Sequence, residues 1–503
     1  MSGSKSIIAA FIDHAQQTPD CPCLSFAGSH LNYGELHLLA LGWAAQLGER
    51  GVERGDRVGL FLSSSPDFVA AYLGVHLLGA VAVLINNQYR QVELSHILSD
   101  SGAKLVISEA ALLPELERVA QPGLQIVDCR LQPGNRQSTI DNLQSINLPA
   151  PTDLALLAYT SGTTGRSKGA MLTHGNLAAN SAAVTAAWQW TAGDRLLLTL
   201  PLFHIHGLGV GLHGTLLVGA SIDLRPRFEA TEVLAALQRG DCTMFFGVPT
   251  MYTRLIEERK AQRTDAAPNT HLRLSVSGSA PLAPQTFANF AALFGQPILE
   301  RYGMTETIMN MTNPYAGERR PGTVGLPFPG QEARIVDVRT REPLLNETIG
   351  EIQVRGPHVF TGYWGQPDAT AEAFDSAGWF NTGDLGWCST DGYYTITGRA
   401  KELIISGGYN IYPREVEEVL LLHPAVAEVA VFGMADPDFG EQVVAAVVLH
   451  TGAAASSEAL IEHCKAQLAA YKKPRQVVFV ASLPRNALGK VQKHLLREGL
   501  AQR

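Results

Sequence analysis

Eleven residues, Tyr159 to Gly169, hold the densest chemistry in the chain: three glycines, five serine or threonine hydroxyls, one arginine and one lysine. Glycines let a backbone curl until its N–H groups converge on one point, and hydroxyls add donors there. That composition suits a polyphosphate. An apolar run, Leu154 to Ala158, leads in and reads as a buried strand, while the alanine-rich Asn176 to Ala187 reads as a helix. The stretch is not a Walker loop, because no Gly-Lys pair stands five residues after Gly165.

Other groups of reactive side chains follow in order. Glu300-Arg301-Tyr302-Gly303-Met304-Thr305-Glu306 sets an aromatic, a hydroxyl and a carboxylate together after a strand. Thr382-Gly383-Asp384 comes after Trp379-Phe380, and Gly398-Arg399-Ala400-Lys401-Glu402 precedes Ser406-Gly407-Gly408-Tyr409-Asn410. Pro484-Arg485-Asn486-Ala487-Leu488-Gly489-Lys490 stands near the end. Taken in order over nearly the whole chain, this set resembles the adenylate-forming superfamily of acyl-CoA synthetases, peptide-synthetase adenylation domains and beetle luciferases. Within it the chain is most similar to the malonyl-CoA synthetases. The local matches are Leu200-Pro201-Leu202-Phe203-His204-Ile205-His206-Gly207, Ser277-Gly278-Ser279-Ala280-Pro281-Leu282, and Glu300 running on to Asn313-Pro314-Tyr315.

The resemblance implies ATP, Mg²⁺, a carboxylic acid and coenzyme A, giving acyl-CoA, AMP and diphosphate. A carboxylate is a poor acyl donor until its oxygen is made a leaving group. Two anionic reactants must therefore meet, and catalysis is mostly positioning and charge neutralisation. In the family, the loop residues Thr160, Ser161, Gly162, Thr163, Thr164, Gly165 and Lys168 would hold the departing phosphates. Thr305 would contact the α-phosphate, Glu306 would bind Mg²⁺ and Tyr302 would stack on adenine, with Ser279, Ala280 and Glu300 in the same nucleotide set. Asp384 would accept from the ribose hydroxyls, assisted by Arg399. Lys490 would be the catalytic cation between acid and α-phosphate, Lys401 the hinge, and Gly407 and Gly408 the lining of the thiol path. Lys490 would also be a natural target for a lysine acetyltransferase and deacetylase, since acetylation removes the charge the reaction uses.

Acid choice is expected elsewhere, at Arg301, Arg273, His204 and Met304. Most relatives carry a small residue before the motif tyrosine, and this chain carries Arg301. A buried cation needs an anion, and the second carboxylate of a dicarboxylic acid supplies one for a two-pronged arginine contact. The competing account pairs Arg301 with Glu300 or Glu306. Arg273 shares strand parity with Ser275 and Ser277, which places it toward the same side. Ile205 and Met304 are expected to border the acid's α-substituent, where Ile either excludes branched acids or repacks. Malonate is the expected acid, then methylmalonate.

These groups need a scaffold, and 503 residues imply at least two domains. Alternating strand and helix segments predict an α/β fold, with an N-terminal domain, 1–399, of mostly parallel sheets flanked by helices plus a small β subdomain near 332–362. Residues 400–503 read as a small, mobile α+β domain. Net charge is -8 and pI about 6.0, which argue against nucleic-acid partners. The six cysteines are scattered without metal-ligand spacing, consistent with reduced thiols. Neither end reads as a targeting signal, and the apolar run Phe68 to Ile85, broken by Gly74, His76 and Gly79, reads as helix then strand rather than a membrane span. A cytoplasmic enzyme is expected.

Two other readings exist. Gly209-Val210-Gly211-Leu212-His213-Gly214 matches G-x-G-x-x-G and admits an NAD-dependent oxidoreductase. Four residues separate strand from glycines, however, and Asp223 comes too soon for the dinucleotide pattern, so glycine packing is preferred. A carrier-charging adenylation domain shares every adenylation motif, but versions that take amino acids usually place an Asp for the ammonium, whereas this chain has Arg301.

Overall fold

The structure, a computed structural model, describes residues 5–130, 147–160, 166–262, 271–407, 409–485 and 490–501. The chain forms two compact units, Met1–Glu332 with Val354–Phe380, and Ala333–Gln353 with Asn381–Arg503. The expected boundary at 399/400 falls inside the second unit.

In the first unit a six-stranded sheet runs in the order Gln125–Asp128, Leu105–Ser108, Arg57–Phe61, Val81–Leu84, Leu154–Thr160 and Lys168–Thr173. Its pairings are parallel except the last, where Leu154–Thr160 turns back against Lys168–Thr173 and pairs Thr160 with Lys168. A nine-stranded sheet has at its centre Leu299–Tyr302, Leu274–Ser277, Met244–Gly247, Arg195–Leu198 and Ser221–Leu224, all parallel. The central strands are buried on both faces, which is why they read as continuous apolar runs rather than alternating ones. The run from Phe68 is the buried helix Pro66–Leu77 followed by the strand Val81–Leu84, as expected. Among the described residues no helix is long and apolar enough to cross a membrane. Gly74 lets that helix cross Tyr33–Glu49 closely, since a Cβ there would sit 2.4 Å from Trp43 Cβ.

The second unit holds a four-stranded sheet, Glu332–Val336, Gly350–Arg355, Phe380–Cys388 and Tyr394–Arg399. It also holds a five-stranded sheet built on the long hairpin Val426–Asp436 and Gly440–Leu449. Strand parity covers both faces of that hairpin. Val443, Ala445 and Val447 pack with Val416, Leu420 and Leu460 of the helices Pro413–Leu421 and Ser457–Lys465. Val444 and Ala446 pack with Leu496 and Leu500 of the helix Lys493–Ala501.

Helices of the first unit also bury His76, His174 and His213. Tyr72 and His213 Nε2 are hydrogen-bonded at 2.7 Å, while both ring nitrogens of His76 have no partner among the described residues. Burial holds His76 well below its ordinary value and pushes His174 to about 4 and His213 to about 3. A histidine held neutral takes up its proton more readily once unfolded. Its contribution is therefore complete above pH 6.5 and is lost as pH falls toward the folded value. At pH 5 the expected loss is about 2 kcal/mol per histidine. Melting temperature measured from pH 7 to pH 4 should fall steeply, and more gently for His76→Phe; parallel curves would place the acid lability in other groups.

Candidate active site

Thr160 ends one strand of the hairpin and Lys168 begins the next, so the six-stranded sheet sets both flanks of the hydroxyl-rich stretch. Ser161, Gly162, Thr163, Thr164 and Gly165 lie outside the described residues, as do Gly408 and the segment 486–489. The flanks are anchored from the helix Gln91–Ser101. Tyr159 donates to Asp100 Oδ2 at 2.7 Å, and His96 Nε2 contacts the Ser167 carbonyl at 2.7 Å.

Tyr302, Gly303, Met304, Thr305 and Glu306 form the turn after Leu299–Tyr302. The turn closes tightly because residue 303 is glycine: a Cβ there would lie 2.0 Å from the Ile308 carbonyl oxygen. Asn310 N–H donates to the Tyr302 carbonyl at 2.9 Å, fixing the return. Tyr302 is 8 % exposed, and its hydroxyl lies 3.9 Å from Met304 Sδ. Thr305 is half-buried. Glu306 is buried, and its Oε1 accepts from the Tyr363 hydroxyl at 3.0 Å. Lys168 Nζ stands 4.9 Å above the same tyrosine ring. Tyr363 was not among the sequence candidates; the one signal for it is an aromatic immediately after Gly362.

Arg301 is 3 % exposed, and its Nε and Nη2 have no hydrogen-bond partner among the described residues. Neither Glu300 nor Glu306 pairs with it. Glu300 Oε1 accepts instead from Leu282 N–H at 3.1 Å, which braces the Ser277–Leu282 turn. The guanidinium lies flat on Gly278, where a Cβ would come within 2.4 Å of Arg301 Cζ. Burial pushes Arg301 down to about 9, so it remains a cation at neutral pH. A buried charge without a partner is costly and strongly attracts an anion.

Beside it, His206 is 1 % exposed and its Nδ1 lies 3.2 Å from Ser279 Oγ. Ser279 takes φ +69°, a left-handed conformation uncommon outside glycine. Ala280 next to it is half-buried. Burial, then Arg301 and His204, hold His206 well below its ordinary value, so it faces the cation as a neutral ring. The His206 backbone N–H donates to His204 Nδ1 at 3.2 Å, which holds the His204 ring against the main chain of His206. The sequence singled out His204 and passed over His206, although the same motif contains both.

One expectation is corrected. Arg273 sits at the entry to Leu274–Ser277, where Asp194 holds its Nε and Nη2 at 2.7 Å and the carbonyls of Trp188 and Gln189 take its remaining donors. The guanidinium is committed to this ion pair, so the substrate-binding role is withdrawn. Ile205 is buried, with its Cδ1 2.8 Å from where a Cβ on Gly209 would lie. The glycines of the G-x-G-x-x-G match serve packing, as preferred above. They lie in and just after a fully buried π-helix, His206–Leu212, and a side chain at Gly214 would strike the Trp190 ring at 2.3 Å.

In the second unit, Asp384 and Arg399 face each other across an antiparallel pair, joined at 2.6 Å. This ion pair fixes the Asp384 carboxylate. Lys401 is exposed on the turn Ala400–Glu402, and desolvation, then Arg399 and finally Lys490, lower its ammonium. Gly407 takes φ +57° at the end of Ile404–Ser406. Lys490 is exposed, beside the bridge that pairs Arg485 with Val491.

Residues 11–364 match the AMP-binding enzyme family, and residues 415–490 match the AMP-binding enzyme C-terminal domain. The chain belongs to the AMP-binding enzyme family. This AMP-binding enzyme is 35 % identical over 483 residues to the malonate–CoA ligase of Arabidopsis thaliana, covering 90 % of this chain and 79 % of that protein. It is 38 % identical over 501 residues to the sulfoacetate–CoA ligase of Cupriavidus necator, covering 97 % and 96 %. Its fold matches ATP-bound MatB from Rhodopseudomonas palustris with a TM-score of 0.90 at 38 % identity, over 99 % of each chain. The protein is an AMP-forming acyl-CoA synthetase, an acid–CoA ligase that uses ATP, Mg²⁺ and coenzyme A. Its residues fit that use. No cluster of three metal-ligating side chains occurs among the described residues, and Glu306 offers one buried carboxylate. Mg²⁺ is commonly held in this way, by one or two carboxylates with phosphate and water completing its shell.

Proposed function

We propose that the acid is malonate, and that this AMP-binding enzyme makes malonyl-CoA, AMP and diphosphate from malonate, coenzyme A and ATP. The observation that carries this reading is Arg301, a buried cation with no ion-pair partner among the described residues. Malonate answers it with a second carboxylate, and His206 offers a neutral hydrogen-bonding ring beside it. The names of the Arabidopsis and Cupriavidus relatives give malonate and sulfoacetate, both short acids with a second anionic group. Methylmalonate keeps the same second charge and is the next best candidate.

In this reading Lys168 and the adjoining loop neutralise the phosphates that leave, while Thr305 donates toward the α-phosphate. Glu306 would hold Mg²⁺, which supplies charge neutralisation between phosphate oxygens. Tyr302 offers a ring face to adenine, and Asp384, steadied by Arg399, accepts from the ribose hydroxyls. Lys490 brings a positive charge to the crowded oxygens as the acid attacks. Residues 400–503 then move about Lys401 so that Gly407 and Gly408 serve the thiol step; one enzyme runs two half-reactions by motion.

Diphosphate release should be measured with malonate, methylmalonate, sulfoacetate and butyrate, followed by AMP formation with coenzyme A. Malonate should lead, with butyrate lower by roughly a thousandfold in kcat/KM, the cost of leaving a buried cation unpaired. Butyrate equal to malonate would refute dicarboxylate recognition. Sulfoacetate ahead of malonate by tenfold would move the assignment to the sulfonate.

A further inference from the structure

The mechanism asks Lys168 and Glu306, opposite in charge, to act on the same phosphates without neutralising each other. Tyr363 lies between them. Its ring faces Lys168 Nζ at 4.9 Å and its hydroxyl donates to Glu306 Oε1 at 3.0 Å. The backbone that carries the ring is fixed in place. Tyr363 N–H donates to Thr370 Oγ1 at 2.9 Å, Trp364 N–H donates to the Gly169 carbonyl at 2.8 Å, and Phe360 N–H donates to the Glu306 carbonyl at 2.8 Å. One short segment is thus tied both to the strand that begins with Lys168 and to the turn that carries Glu306. No ion pair joins Lys168 to a carboxylate among the described residues.

We propose that Tyr363 is a positioning residue that holds Lys168 and Glu306 apart and aimed, with the ring as spacer for the cation and the hydroxyl as orienter of the carboxylate. The proposal rests on Glu306 as the Mg²⁺ carboxylate and Lys168 as a phosphate cation. A neutral phenol suits both duties. It fixes the rotation of the carboxylate without cancelling its charge, and its face attracts an ammonium weakly enough to release it to phosphate. A charged residue at 363 would pair with one of the two and disable it.

The two duties separate by substitution. Tyr363→Phe keeps the spacer and loses the orienter. Tyr363→Leu loses both and lets Lys168 collapse onto Glu306. ATP binding by calorimetry, with EDTA and then over a Mg²⁺ series, reads the difference without turnover, with Glu306→Gln as reference. Tyr363→Phe should raise the Mg²⁺ needed for half-maximal enhancement of ATP binding by roughly tenfold, as loss of a metal ligand's supporting contact does, and leave metal-free ATP binding within about twofold. Tyr363→Leu should weaken both. If Glu306→Gln shifts the Mg²⁺ dependence and Tyr363→Phe does not, the proposal falls while the role of Glu306 stands. If Glu306→Gln shifts nothing, Glu306 is not the Mg²⁺ carboxylate, and the proposal falls with it.

Discussion

Arg301→Gly is expected to lose roughly a thousandfold in kcat/KM on malonate and to change butyrate turnover by less than about tenfold. The asymmetry follows from burial. In the proposed reading a malonate carboxylate meets a guanidinium already stripped of water, with two of its nitrogens lacking any hydrogen-bond partner among the described residues. Butyrate presents a methyl group there and leaves the charge uncompensated. Removing the guanidinium therefore harms only the acid that used it. The same burial predicts a second observable. Arg301→Met, close to the arginine stem in shape, removes an uncompensated charge and should stabilise the unliganded protein by about 1–4 kcal/mol, read as a higher melting temperature. Equal losses on the two acids, or a Met variant that melts lower, would show that the guanidinium holds the fold and does not select the acid.

Lys490→Ala is expected to slow adenylation, measured as diphosphate release, by about a hundred- to a thousandfold, the usual cost of deleting one aimed charge-stabilising group. Thioester formation from supplied malonyl-adenylate should keep nearly its full rate. Because Lys490 is exposed, its loss should leave melting unchanged, within about 0.5 kcal/mol. That combination separates a catalytic ammonium from a solvated surface lysine, which would change neither half-reaction. Equal damage to both would count against the assignment. Acetylation at Lys490 should mimic the alanine in the same half-reaction, with intact mass confirming the modified protein.

Much of this was legible before any coordinates, because periodicity reports burial. The run Leu154 to Ala158 lies within the strand Leu154–Thr160, and the run from Phe68 ends in the strand Val81–Leu84, since buried strands leave unbroken apolar runs. Lys168–Thr173 was missed. Lys168, Gly169 and Thr173 flank only three apolar residues in a row, too few to mark a strand. Arg273 shows the limit of parity: the side a residue faces can be inferred, but its partner, Asp194, lies 79 positions away and only the fold brings them together. His206 and Tyr363 were hidden for a related reason. Neither spacing nor composition marks a neutral ring as special until Arg301, or Lys168 and Glu306, are seen beside it. Arg301 itself stands out because it replaces the small residue that most relatives carry before the motif tyrosine.

The two-faced hairpin of the second unit has a consequence for heredity. Residues 413–421, 457–465 and 493–501 cover both of its sides from within one contiguous stretch of chain, so that stretch carries its own interior. A segment of this kind can be exchanged by a single crossover near residue 400 without exposing apolar surface in its own sheet. The residues proposed to choose the acid, on the N-terminal side of such a crossover, and the lysine proposed to activate it, on the C-terminal side, can therefore be inherited separately. On the proposed roles, new acids can be acquired by change around Arg301 while the stretch that carries Lys490 is passed on intact.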